Sequence, residues 1–127
     1  MKIAMTSVYV NDTQKAFRFY TEVLGFASRM HIPEANLAIV VSSDDPSGTG
    51  LLLEPNEHPV AKAYQEGLYT TGLPVITFGV DDIGKEYERL TGLGVVFRKT
   101  PAPTEWGMEA IFDDTCGNYI QLAQVTK

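Results

Sequence analysis

Apolar and polar positions along the chain follow one pattern that occurs twice. A β-branched run at residues 3–10 leads into Val10–Phe26, whose apolar residues recur at helical spacing. The residues at that spacing are Ala16, Phe19, Tyr20, Val23 and Leu24. A second β-branched run, residues 74–80, leads into Val80–Val95, which repeats the first stretch at a spacing of 70. The pattern predicts a strand followed by an amphipathic helix in each half of the chain.

Polar residues and glycines mark the ends of the two predicted helices. Asp12 and Asp82 stand where an N-cap carboxylate accepts from the free amides of the first turn. Gly25 ends the first helix, and Gly92 and Gly94 end the second.

Three short β candidates follow each helix. They lie at 26–32, 36–42 and 50–54 in the first half, and at 95–99, 108–113 and 119–125 in the second. The sequence PAPTEWG reads as a proline-rich connection and DDTCGN as a hairpin turn. A second, weaker repeat has a spacing of 67 and pairs GLLLE at 50–54 with GNYIQ at 117–121.

The halves are therefore two βαβββ units in one domain, at residues 1–55 and 73–127, with a helical or lid-like insertion at 56–72. One helix covers only one face of a four-stranded sheet. The other face is therefore either buried by the partner unit or lines a cavity. We expect an α+β fold in which the tandem units form a curved mixed sheet around a central cavity.

Composition and charge narrow the possible partners. A net charge of −6 without a Lys/Arg run argues against nucleic acid and anionic membranes. The chain shows no signal-peptide pattern and no apolar run of membrane-spanning length. A single cysteine, Cys116, fits a reducing compartment, so the expected location is the cytoplasm.

The repeated units, with V-x-D-x-x-K-A-x-x-F-Y-x-x-x-L-G-F in the first and FDDTCGNYIQL near the end, resemble the vicinal oxygen chelate superfamily. This superfamily includes glyoxalase I, bleomycin-resistance proteins, extradiol dioxygenases and fosfomycin-resistance enzymes. The resemblance runs from residue 3 to 122 and implies the same fold and a homodimer. It indicates the reaction poorly, because one fold hosts many chemistries.

The resemblance also implies four positions at which metal-dependent relatives hold a divalent ion. In this sequence they are Met5, Glu54, Val75 and Gln121. A thioether is a soft ligand and valine donates nothing, so only Glu54 and Gln121 suit a hard cation. We expect no resident cofactor, and at most a weakly held divalent metal.

Without a metal, Glu54 and Gln121 form a polar pair on the cavity floor. Glu54 is then a candidate general base, or a hydrogen-bond acceptor for a ligand. The alternative interpretation is that Glu54 is a solvated residue at a strand end. The other predicted cavity residues follow from strand alternation: Met5, Ser7, Tyr9, Val75, Thr77 and Tyr119.

Further residues have two open readings each. His31 faces the cavity or hydrogen-bonds elsewhere, and Trp106 stacks on a planar ligand or packs its loop onto the sheet. Arg29 and Arg98, at equivalent positions of the two units, bind an anionic substrate or are solvated. Cys116 has no neighbouring base in the sequence and is not expected to be a nucleophile.

Three function classes remain. The first is a metal-free protein that binds a small molecule in its cavity. The second is an enzyme, a lyase, isomerase or dioxygenase that uses Glu54 and Gln121 with a metal, or Glu54 alone as a base. The third is a protein that keeps only the fold and acts through partner contacts.

Overall fold

The computed structural model describes residues 1–125, and its elements follow the predicted order. The strands are β1 (Met5–Val10), β2 (Ala27–Ile32), β3 (Leu37–Val41), β4 (Gly50–Pro55), β5 (Pro74–Gly79), β6 (Phe97–Pro103), β7 (Gly107–Asp113) and β8 (Tyr119–Val125). The helices are α1 (Thr13–Arg18), which continues as a π-helical turn over Phe19–Val23, α2 (Pro59–Thr71) and α3 (Ile83–Gly92). No helix in the described part of the chain is long and apolar enough to span a bilayer.

The chain divides into two compact units, one at residues 1–65 and one beginning at residue 66. Each contains a four-stranded mixed sheet, ordered β1-β4-β3-β2 in the first and β5-β8-β7-β6 in the second. The first and last strands of each unit pair in parallel, whereas the remaining pairs are antiparallel. The predicted α+β class and the twofold βαβββ order are confirmed.

The caps predicted from the repeat are present in both units. Asp12 Oδ1 accepts from the amide of Lys15 at 3.0 Å, and Asp82 Oδ1 accepts from the amide of Lys85 at 3.1 Å. Gly25 and Gly94, just beyond the helices, both have φ of +89°, a conformation that favours glycine.

Each sheet buries one face beneath the helix of its own unit. In the first unit α1 packs on β3 and β4, with Val8, Val10 and Leu53 buried. In the second unit α3 packs on β6, β7 and β8, with Phe112 and Ile120 buried. The alternate strand residues point to the opposite side, which we call the open face of each sheet.

The predicted insertion is the helix α2. Gln65 on α2 is buried and donates from Nε2 to the backbone oxygen of Tyr9 at 2.9 Å. Its Oε1 accepts from Nδ2 of Asn56 at 2.6 Å. These bonds tie this part of α2 to the first sheet.

The predicted bounds of the sixth strand, 95–99, were wrong. The run PAPTEWG was expected to be a connection, but β6 extends through Pro103 and only Thr104–Trp106 join it to β7. Proline lacks an amide donor and is tolerated in sheets mainly on edge strands, and β6 is the edge of the second sheet.

The predicted turn between β7 and β8 is organised by a buried carboxylate. Asp114 is fully buried, and its Oδ1 accepts from the amides of Cys116 at 2.7 Å and Asn118 at 3.0 Å. Its Oδ2 accepts from Nδ2 of Asn118 at 2.9 Å. The carboxylate thus holds the turn that leads into β8.

Replacing Asp114 by alanine would leave these buried donors without their acceptor. We expect Asp114→Ala to lower the free energy of unfolding on the order of 3 kcal/mol. Urea denaturation followed by circular dichroism measures the change, with the exposed Asp44→Ala as control. Equal effects of the two substitutions would contradict this role for Asp114.

Candidate functional site

A row of hydrogen-bonded polar side chains crosses the open face of the second sheet. Thr77 Oγ1 donates to Oε1 of Gln121 at 3.0 Å, and Gln121 Nε2 donates to Oε2 of Glu109 at 2.6 Å. Lys99 Nζ forms an ion pair with Oε1 of Glu109. The polar row, as we call Thr77, Gln121, Glu109 and Lys99, takes one residue from each of β5, β8, β7 and β6.

The register of the strands places these residues side by side. Thr77 lies opposite Gln121, and Ile111 lies between Lys99 on one side and Gln121 on the other. Because Ile111 lies in register with both, these residues share one face. The half-buried Ile111 therefore supplies an apolar surface within the polar row.

The polar row fixes the protonation of Glu109. The hydrogen bond from Lys99 is the main cause that lowers the pKa of Glu109 below its ordinary value, helped by the Lys99 charge and by the Gln121 amide. Partial burial works in the opposite direction and is outweighed. Near neutral pH Glu109 is a carboxylate that accepts hydrogen bonds.

A tyrosine cluster borders the same face. Tyr69 on α2 stacks on Tyr119 with ring centroids 4.5 Å apart and planes within 4°. Tyr69 Oη donates to Oδ2 of Asp113 at 2.5 Å, while Oδ1 of Asp113 accepts from the amide of Thr115 at 2.7 Å. The hydrogen bond to Asp113 is the first cause, and burial the second, that raises the pKa of the Tyr69 phenol well above its ordinary value. Tyr69 therefore stays a protonated donor.

Arg98 on β6 completes this group. Its guanidinium carbon lies over the Tyr119 ring, 5.2 Å from the centroid. Gly72 lies against it, since a Cβ on Gly72 would be 2.5 Å from Arg98 Nη2. Glycine at position 72, where φ is +79°, leaves the room that the guanidinium occupies.

The open face of the first sheet carries the other predicted cavity residues. Tyr9 and Glu54 lie opposite each other in register and are both half-buried. Ser7 lies opposite Leu52, and Met5 lies opposite Gly50 with 49% of its surface exposed. In this unit strand pairing brings Glu54 to Tyr9.

The four positions implied for a metal do not fit a tightly held hard cation. Gly50, the register partner of Met5, is four residues before Glu54, so Met5 and Glu54 are separated by about 13 Å along paired strands. The Gln121 amide already bonds Thr77 and Glu109, and Val75 has no donor atom. Within residues 1–125 no three His, Cys, Asp or Glu side chains cluster as metal ligands would.

The placement of His31 requires a correction. Its ring stacks on Phe17 of α1 with centroids 3.8 Å apart, and Nε2 lies 2.7 Å from Oε1 of Gln14. His31 therefore lies on the helix-covered side of the first sheet. The reason is a bulge: Ser28 and Met30 pair with the adjacent residues Val40 and Ile39, so strand alternation reverses between Ser28 and His31.

Two other candidates are placed apart from the polar row. Trp106, in the short connection between β6 and β7, has 78% of its surface exposed and so does not pack its loop onto the sheet. Cys116 is buried in the turn held by Asp114.

Four polar side chains that border or cross this face were missing from the sequence prediction: Tyr69, Lys99, Glu109 and Asp113. The hairpin turn offered a signal for two of them. Counting back from that turn pairs Asp113 with Tyr119 and places Glu109 two residues beyond Ile111, on the same face. No comparable pattern pointed to Tyr69 or Lys99, since the first reaches the sheet from a helix and the second follows a bulge.

The chain is similar to known proteins over nearly its whole length. A family model of the Glyoxalase/Bleomycin resistance protein/Dioxygenase superfamily matches residues 2–122. The Bacillus subtilis (strain 168) protein YurT, described as uncharacterized, is 52% identical over 128 residues, covering 98% of this chain and 99% of YurT. The crystal structure of UcmS2 superposes with a TM-score of 0.80 at 28% identity, covering 96% of each chain. TnmS3, an antibiotic binding protein from Streptomyces sp. CB03234, superposes with a TM-score of 0.76 at 27% identity, covering 99% of this chain and 97% of TnmS3.

The lowered pKa of Glu109 predicts a pH-dependent contribution to stability. A carboxyl whose pKa is lower in the folded than in the unfolded protein stabilises the fold at pH values above its unfolded pKa, which here is near 4.5. This stabilisation is lost as the pH falls through the pKa of the folded protein. We expect Glu109→Gln to lower the free energy of unfolding by about 1 kcal/mol at pH 7, because Lys99 is partly exposed.

Urea denaturation at pH 7 and pH 3 measures this difference, which should shrink at the lower pH. The exposed Glu88→Gln on α3 is the control. A difference of the same size at both pH values would contradict the ion pair as its source.

Proposed function

Because the chain belongs to the Glyoxalase/Bleomycin resistance protein/Dioxygenase superfamily, we propose that it is a small-molecule binding protein whose ligand lies on the open face of the second sheet. The polar row is the observation that carries this proposal. Four side chains on four strands are joined in one chain of contacts, so their positions are set before any ligand arrives. Groups held in advance lose less conformational entropy on binding.

The polar row retains hydrogen-bonding capacity for a ligand. An ammonium group has three donors, and only one of those of Lys99 is needed for Glu109. The Gln121 amide uses one N–H on Glu109 and keeps a second. A molecule with a carbonyl or hydroxyl edge would find donors at both residues.

The surroundings of the polar row favour a planar ligand. Ile111 presents an apolar surface between Lys99 and Gln121, and the Tyr69–Tyr119 pair borders the same face. Binding sites for small molecules combine apolar and aromatic walls with a few placed polar groups. This combination fits a flat ring system that carries polar groups along one edge.

The relatives support binding rather than a particular reaction. TnmS3 is an antibiotic binding protein whose structure superposes on nearly the whole of this chain. Glu54, on the open face of the first sheet, is a second candidate acceptor for a ligand.

A neutral planar probe, 2-naphthamide, tests the proposal. We expect it to bind with a Kd on the order of 1 mM, from about 0.3 kcal/mol per non-hydrogen atom. Titration followed by ¹H–¹⁵N NMR should shift the side-chain amide of Gln121 and the backbone amide of Ile111. Replacing Gln121 by leucine removes its donor and should weaken binding about fivefold.

Gln124→Leu is a matched control on the same strand. Gln124 Oε1 accepts from the amide of Ile83 at the start of α3, at 2.8 Å, so it serves the helix-covered side. This variant should lose stability and keep its affinity for the probe.

The proposal is wrong if 2-naphthamide shifts no signal on the open face of the second sheet, or if Gln121→Leu binds it as tightly as the original chain.

A further inference from the structure

Both sheets carry a bulge at the same place, and an arginine occupies it in each. In β2 the pairs Ser28–Val40 and Met30–Ile39 leave Arg29 as the extra residue. In β6 the pairs Phe97–Phe112 and Lys99–Ile111 leave Arg98 as the extra residue. The two arginines are therefore structural equivalents, and their surroundings can be compared directly.

Arg29 has a structural role. Its Nη2 donates to the backbone oxygens of Pro46 at 3.0 Å and Gly48 at 2.6 Å. The guanidinium thereby holds the connection between β3 and β4. These two carbonyl acceptors account for its position.

Arg98 has no such carbonyl acceptors in the part of the chain that the structure describes. Its guanidinium rests over the Tyr119 ring and beside Gly72, and among residues 1–125 no carboxylate lies within salt-bridge distance of it. The side chain is exposed, so its donors face solvent. In a chain of net charge −6, a positive charge on this face without a carboxylate partner needs an explanation.

The explanation lies in how the neighbouring carboxylates are bound. Both oxygens of Asp113 accept hydrogen bonds, from Tyr69 and from the amide of Thr115. Both oxygens of Glu109 are likewise engaged, by Lys99 and Gln121. The two acidic groups of the open face are held by other partners, which leaves the planar fork of Arg98 available to an external anion.

We infer that Arg98 binds the carboxylate of the ligand, and that the ligand belongs to the class of planar aromatic carboxylic acids. A guanidinium matches a carboxylate with two parallel hydrogen bonds, and the Tyr119 ring holds it in place by a cation–π contact. The ring system of the ligand would lie along Ile111 and the polar row. This inference rests on the binding function proposed above and adds the charge of the ligand to it.

The test compares 2-naphthoate with 2-naphthamide, which have the same ring system and differ in charge. At constant low ionic strength we expect the carboxylate to bind at least fivefold more tightly and to shift the Nε–H signal of Arg98 in ¹H–¹⁵N NMR. Raising the ionic strength should reduce the preference, because exposed charges are screened.

Variants of the two equivalent arginines separate binding from structure. Arg98→Gln should bring the two affinities to about the same value, because the charge that separates the two probes no longer has its partner. Arg98→Lys keeps the charge without the planar fork and should retain only part of the preference. Arg29→Gln removes the matched arginine of the first unit, and should lower stability and leave the preference intact.

The outcomes distinguish the two proposals. Equal binding of the two probes by the original chain, or a preference that survives in Arg98→Gln, would overturn the role of Arg98 and leave the binding function standing. Failure of both probes to shift any signal on the second sheet would overturn the binding function itself.

Discussion

A sheet covered by a single helix has one face that its own unit does not bury, and this constraint shapes the rest of the molecule. In each half of the chain the helix packs on alternate strand residues such as Val8 and Leu53, or Phe112 and Ile120. The intervening residues point to the open face. Side chains on that face are free from the demands of an apolar core, so chemistry can be placed there without loss of the fold.

The open faces of the two sheets carry different side chains. On the first sheet the open face presents Tyr9 and Glu54 opposite each other. On the second sheet four strands contribute to the connected polar row, and a stacked tyrosine pair borders it. The bulge arginines show the same divergence, since one binds loop carbonyls and the other rests on an aromatic ring. A duplicated backbone thus carries one arginine that holds a loop and one that stays exposed on its sheet.

On the open face of the second sheet, two carboxylates have all of their oxygens hydrogen-bonded. Glu109 and Asp113 each have both oxygens hydrogen-bonded, which fixes the groups around them. Polar groups in such networks hold their geometry because moving one would leave its neighbour without a partner. The same networks leave Arg98 without a carboxylate partner within the described chain.

The sequence by itself determined the repeated order of elements, the caps at Asp12 and Asp82, and most strand boundaries, because these depend on local periodicity and local hydrogen bonds. It also indicated the alternation that places Thr77 and Gln121 on one face. Only the tertiary structure decided the side of the sheet on which His31 lies, since a one-residue bulge reverses the alternation and has no clear signature in the sequence. For the same reason the structure alone brought Lys99 to Glu109 and Tyr69 to Asp113, because contacts between distant segments depend on register and helix placement rather than on the order of residues.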